Sequence, residues 1–163
     1  MLVAATPRLG LAESVERLEA MPEFLHAALA TVDDVEMRTR PAADGFSLAE
    51  HACHLRDLER EGYLVRLRRM LDEREPDLAP FDGDAVARAR DYPSQDARAA
   101  AADFASARDE AVALIAALTP AQLAREGTFG GERVCLADVV AMMVEHDRGH
   151  REEIERLVDF LEE

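Results

Sequence analysis

The sequence predicts an all-α fold, a four-helix bundle, and three observations carry that expectation. Apolar residues recur at three- and four-residue steps along four long segments, the spacing of one buried stripe on a 3.6-residue helix. Helix-opening patterns stand at Ser47-Leu-Ala-Glu50 and Thr119-Pro-Ala-Gln122, where a hydroxyl side chain and an acid or amide three residues later each cap the other's backbone N–H. No segment alternates apolar and polar residues at period two for long enough to make a strand. At 163 residues the chain can bury a full core once but not twice, so a single domain over 1–163 is expected.

The first helix runs from roughly residue 8 to 30 on Leu11, Val15, Leu18, Leu25 and Leu29. Pro22 lies inside it and should kink or split it, because proline lacks the N–H that closes the helical hydrogen bond. Residues 31–41 read as a loop with a short helical turn, since Arg40 before Pro41 is pushed out of the α region. After the Asp44-Gly45 turn comes a long second helix reaching about Arg74, with Leu48, Ala52, Leu55, Leu58, Gly62, Val65 and Leu71 facing inward. Pro76 to Tyr92 forms a long connection between helices 2 and 3, irregular or holding one short helix.

Ser94 can cap the third helix, which presents Ala97, Ala101, Phe104, Val112, Ile115 and Leu118; its alanines predict close approach to a neighbour. A short helix opens at Pro120, and Gly127, Gly130 and Gly131 read as a loop. The fourth long helix spans Cys135 to Leu161 on Leu136, Val139, Met143, Ile154, Leu157 and Leu161. Charged runs such as Glu59-Arg60-Glu61 and Arg66 to Arg69 read as solvated faces.

Charge excludes some functions. The formal net charge is -15, and all 19 basic residues are arginine. A field of that sign repels phosphate backbones and anionic lipid, so neither nucleic acid nor a membrane surface is an expected partner. The N-terminal run has no basic flank before an apolar segment, and no stretch approaches ~18 uninterrupted apolar residues. A cytoplasmic location follows, where Cys53 and Cys135, without C-x-x-C spacing, read as reduced packing residues.

The histidines carry the chemistry. On a wheel of about 100° per residue, His150 falls at the centre of the fourth helix's apolar stripe and His146 about 40° from it. Residues four apart lie one turn above each other, so both rings can meet one ion. A core histidine bonded to a neighbouring carbonyl or carboxylate is the bland alternative, and a third ligand would decide between them. On the second helix His51 lies nearer the middle of the stripe, while His54 shares its direction with Glu50, Leu58, Glu61 and Val65. Pattern alone does not choose between these two. His26 stands alone on the first helix and reads as surface or half-buried.

The stretches Phe46-Ser-Leu-Ala-Glu-His-Ala-Cys-His-Leu-Arg-Asp-Leu-Glu59 and His146-Asp-Arg-Gly-His-Arg-Glu-Glu-Ile154 resemble the DinB/YfiT-like superfamily of metal-dependent enzymes. Arg108, the Leu118–Leu123 run and the glycine loop extend the resemblance over residues 8–161. It implies a helical bundle, frequent homodimers and a three-histidine site made by His54, His146 and His150. It also implies a small-molecule substrate, handled either by S-transfer from a low-molecular-weight thiol or by hydrolysis. Two positions depart from the family's habit: Phe46 stands where Trp is frequent, and Glu153 where Gln is frequent.

Three neutral imidazoles leave a divalent ion with positions open for water or substrate. Zinc or nickel is the expected ion, with iron and manganese also able to accept imidazole. Glu50, Asp57 and Glu153 are the candidate catalytic carboxylates by spacing, with Glu61 and Asp147 nearby. Glu50 is already engaged by the Ser47 cap, and Asp57 could instead orient a ligand ring. Two non-enzymatic readings stand beside these: a metal that only staples a dimeric bundle, and a metal-free bundle whose histidines are core hydrogen-bonders.

Overall fold

A computed structural model describes residues 9–163. Residue 8, the expected start of the first helix, and most of the N-terminal run lie outside the described residues.

Helix α1 spans Leu11–Ala30 and passes through Pro22 without splitting. The missing N–H of Pro22 leaves the Leu18 carbonyl without its helical donor. That carbonyl accepts instead from Nη1 of the buried Arg108 at 3.0 Å, so the lost bond is replaced from a neighbouring helix. Asp33 then caps a single turn, α2 (Asp34–Met37), through the backbone N–H groups of Val35 and Glu36.

The Ser47–Glu50 box opens α3 (Leu48–Asp57) as the sequence predicts, but the long second helix is not uniform. A π-helical turn at Leu58–Tyr63 separates α3 from α4 (Leu64–Asp72). One extra residue in that turn rotates everything after it by about 100°. Val65, expected inside, is therefore 42% exposed, and Leu64, Leu67 and Met70 form the buried face. Arg66, which reads as solvated in the sequence, is buried for the same reason, and Glu59, at the start of the turn, is buried against Arg108.

The segment after α4 holds β1 (Asp77–Leu78), the helix α5 (Gly83–Ala89) capped by Asp82, and a 3-10 turn at Tyr92–Ser94. Asp96, not Ser94, caps α6 (Ala97–Ala116), accepting from the N–H groups of Arg98 and Ala99. The Ser94 hydroxyl is spent on the Asp91 carbonyl. Thr119 and Gln122 cap α7 (Pro120–Leu123) reciprocally.

The expected glycine loop is a β-hairpin, β2 (Glu126–Phe129) and β3 (Glu132–Cys135), turning at Gly130 and Gly131 with φ of 61° and 80°. Thr128 faces Arg133 across it, and β1 joins the other edge in parallel, Asp77 beside Thr128. Strands of two to four residues are too short for alternation to register in the sequence. The chain then enters α8 (Leu136–Glu162), where Asp138 accepts from the Cys135 N–H.

Helix α6 packs against α1 and α3, and α1 packs against α8. Two apolar clusters fill the bundle. One gathers Leu18, Leu64, Leu67, Ile115, Val139 and Met143; the other gathers Leu25, Leu48, Leu55, Phe104, Ile154 and Leu157. Arg108, His146, Asp147 and His150 fall between these two sets along their own helices, and His54 meets His146 from α3, which makes a polar layer in mid-bundle. Among the described residues no helix is long and apolar enough to cross a membrane.

Candidate metal centre

Helix α3 supplies His54, two turns after its Ser47 cap, and α8 supplies His146 and His150 one turn apart. His146 Nε2 lies 3.4 Å from His54 Nε2 and 3.0 Å from His150 Nε2. Ligand nitrogens about 2.0–2.1 Å from a tetrahedral ion stand about 3.3 Å apart, so these spacings suit one divalent cation. Hydrogen bonding alone does not account for them. A neutral imidazole nitrogen carries one proton or one lone pair, so His146 Nε2 cannot satisfy two facing nitrogens at once.

The protonation states also fit. Burial, reinforced for His54 by the charge of His150, pushes His54 from 6.5 to about 4, and burial brings His150 to about 4. His51 and His146 are lowered too, by burial first and by neighbouring imidazoles second. All four rings are neutral at pH 7 and offer lone pairs. Aromatic walls hold the rings in place: Phe46 packs 5.6 Å from both His51 and His54, Tyr63 meets the His146 ring at 5.9 Å, and Phe81 lies 6.3 Å from His54.

His51, which the sequence left as an alternative to His54, sits beside the cluster. Its Nδ1 faces Nδ1 of His150 at 2.9 Å, on the side of that ring away from His146. Glu153 Oε2 lies 3.8 Å from His51 Nε2 and 3.9 Å from His150 Nδ1. His26 is exposed on α1 and, among the described residues, belongs to no such group.

The other carboxylates are committed elsewhere. Glu50 accepts from the Ser47 N–H at 2.8 Å and pairs with Arg40. Asp57 does not orient His54: it accepts from Arg56 at 2.8 Å and from the Tyr92 hydroxyl at 2.6 Å. Burial opposes its charge, but those donors outweigh the burial and hold its pKa below the usual carboxylate value. Nδ1 of His54 is buried with no hydrogen-bond partner among the described residues. Glu61 is exposed and pairs with Arg90. Asp147 is bound by Arg108, which also grips Glu59 through two bonds of 2.9 Å. Burial opposes the Arg108 charge, and the two carboxylates overcome it and raise its pKa.

A cavity of about 590 Å³ opens onto His51 and His150. Phe46 and Leu157 wall it, and among the described residues Asp44, Asp84 and Glu153 rim it against a single arginine, Arg156. Sequence reasoning did not find Tyr63, Phe81, Gly83 or Glu59 in this neighbourhood. The π turn brings in Tyr63 and Glu59, and the folding back of the 73–96 segment brings in Phe81 and Gly83; neither leaves a periodic signal.

A sequence profile of the DinB superfamily matches residues 17–154. Among solved structures the fold is similar to that of YfiT from Bacillus subtilis, described as a probable metal-dependent hydrolase with an unusual four-helix bundle topology. The match has a TM-score of 0.85 at 22% identity, covering 96% of this chain and 90% of that one. No curated protein matches the sequence significantly. The family profile, which spans α3 and reaches past both α8 histidines, shows that the chain belongs to the DinB superfamily.

Proposed function

We propose that the chain is a divalent-metal-dependent hydrolase of a small molecule, with His54, His146 and His150 holding the ion through Nε2. The observation that carries this reading is the convergence of three neutral imidazole nitrogens that no hydrogen-bond scheme satisfies. A divalent ion on three such ligands keeps positions for water and substrate, and supplies Lewis acidity and a water acidified toward neutrality. Zinc or nickel suits the all-imidazole set. The chain's own contribution is to keep the rings neutral, exclude bulk water behind Phe46, Tyr63 and Phe81, and admit substrate from the cavity beside His150. Of the candidate catalytic carboxylates, Glu153 alone reaches that cavity without another fixed partner, so it is the proposed proton acceptor at the rim.

Hydrolysis is favoured over thiol-dependent S-transfer by the cavity rim. Three carboxylates against one arginine, in a chain of net charge -15, oppose an anionic thiol such as a carboxylated tripeptide. The test is an ester and amide hydrolysis screen run beside thiol-conjugation assays, on chelated and on zinc- or nickel-restored protein. Metal-restored hydrolysis that His150→Ala abolishes is the expected result. Thiol conjugation without hydrolysis would overturn it.

Two further outcomes follow. A Cβ at Gly83 would lie 2.8 Å from Cε1 and 3.0 Å from Nδ1 of His54. Gly83→Ala should therefore turn the ring and weaken zinc binding about tenfold or more, as misoriented ligands do. Chelator-competition titration reads this directly. The second concerns acid. The folded, metal-free protein keeps His54 and His150 neutral down to about pH 4, whereas the unfolded chain protonates them near 6.5. Between those values the unfolded state binds more protons, so stability falls as pH is lowered from 6.5 toward 4. Thermal midpoints of chelated protein at pH 7, 5.5 and 4.5 should decline in that order; a flat profile would contradict neutral burial of the rings.

A further inference from the structure

We infer that His51 is a positioning residue that fixes the tautomer of His150, the juxtaposition being Nδ1 of each ring at 2.9 Å with Glu153 beyond. The inference rests on the three-histidine reading and adds a residue that reading does not use. His150 shows one nitrogen to the cluster and the other to His51. A neutral imidazole carries a single ring proton. For Nε2 of His150 to offer its lone pair to an ion, that proton must sit on Nδ1, and the atom it then meets is Nδ1 of His51. His51 must accept there, so its own proton sits on Nε2, the nitrogen facing Glu153 Oε2 at 3.8 Å. One choice at the ion thus determines the proton positions along His150, His51 and the carboxylate.

The surroundings hold His51 to this task. It is 2% exposed, so its ring has little room to flip. Phe46 meets it edge-on at 85° and 5.6 Å. The His51 and His150 rings cross at 83°, a geometry in which an in-plane N–H of one can meet the in-plane lone pair of the other. Glu153 is half exposed and beyond hydrogen-bond distance, so its charge aligns His51 without gripping it. His54 differs, having no partner at Nδ1 among the described residues. Unlike His54, His150 has its orientation secured by hydrogen bonding, and its partner lies one turn before His54 on the same helix. Partners of this kind are worth about ten- to a hundredfold in metal affinity.

The test uses zinc-loaded, 15N-labelled protein and long-range 1H–15N correlation of the imidazoles. His150 should be protonated at Nδ1 and metal-shifted at Nε2, and His51 protonated at Nε2 alone. His51→Leu, which leaves Nδ1–H of His150 without an acceptor, should lose about ten- to a hundredfold in zinc affinity by chelator competition. His51→Gln, whose amide oxygen can accept, should recover most of that loss, with the metal-free thermal midpoints of the two variants alike. Equal losses in both variants, or one bound zinc with Nδ1 of His150 unprotonated, would overturn the inference alone. Two zinc ions per chain, the second shared by His51, His150 and Glu153, would overturn it too. Wild-type protein that takes up no zinc would overturn the three-histidine reading beneath it.

Discussion

Arg108→Met is expected to lower the unfolding free energy by about 3–5 kcal/mol, the range found when one member of a buried ion network is removed. The guanidinium is 1% exposed and its five N–H groups make five bonds: Nε and Nη2 to Glu59, Nη1 and Nη2 to Asp147, and Nη1 to the Leu18 carbonyl. Methionine fills the space but supplies none of these donors. Two carboxylates, 1% and 7% exposed, would then face each other without a cation. The carbonyl freed by Pro22 would lose its donor as well. Urea unfolding of the variant checks the expectation, and a loss under about 1 kcal/mol would mean that water reaches the layer and solvates the carboxylates. The triple variant with Glu59→Leu and Asp147→Leu should recover most of the loss, because no buried charge is then left unpaired.

His146→Ala should abolish stoichiometric divalent-metal binding, with affinity falling by more than ~100-fold, beyond the loss expected from any outer partner. Its Nε2 is the atom common to both short contacts, so its removal leaves His54 and His150 with no shared neighbour at close range. The fold should persist, since the apolar clusters on either side of the layer are untouched and the ring itself is partly exposed. Circular dichroism and elemental analysis on the same tag-free sample separate the two effects. Retention of one equivalent of zinc by His146→Ala would place the ion on a different set of residues.

Much of this was legible in the residues. Periodicity located the four long helices, and the Ser47–Glu50 and Thr119–Gln122 patterns located two helix starts, because capping is local chemistry with a fixed spacing. The inward aim of His146 and His150 followed from their place on an unbroken α-helix. The fate of Val65 and Arg66 did not, because a π turn changes the phase of a helix without altering the residues that precede it. Whether Pro22 would split the helix was open for a related reason: its cost depends on which donor satisfies the Leu18 carbonyl, and that donor is 90 residues away. The choice between His51 and His54 was open because both rings do enter the layer. What separates them is which nitrogen each presents, a matter of rotamer and not of spacing.

His54, His146 and His150 are expected to close on one ion. Anomalous diffraction from crystals grown with one equivalent of zinc tests it most directly. A single peak is expected about 2.0–2.1 Å from Nε2 of each of the three rings, with space beside it toward the cavity. A peak on the His51 and Glu153 side, or none at full occupancy of the protein, would contradict it.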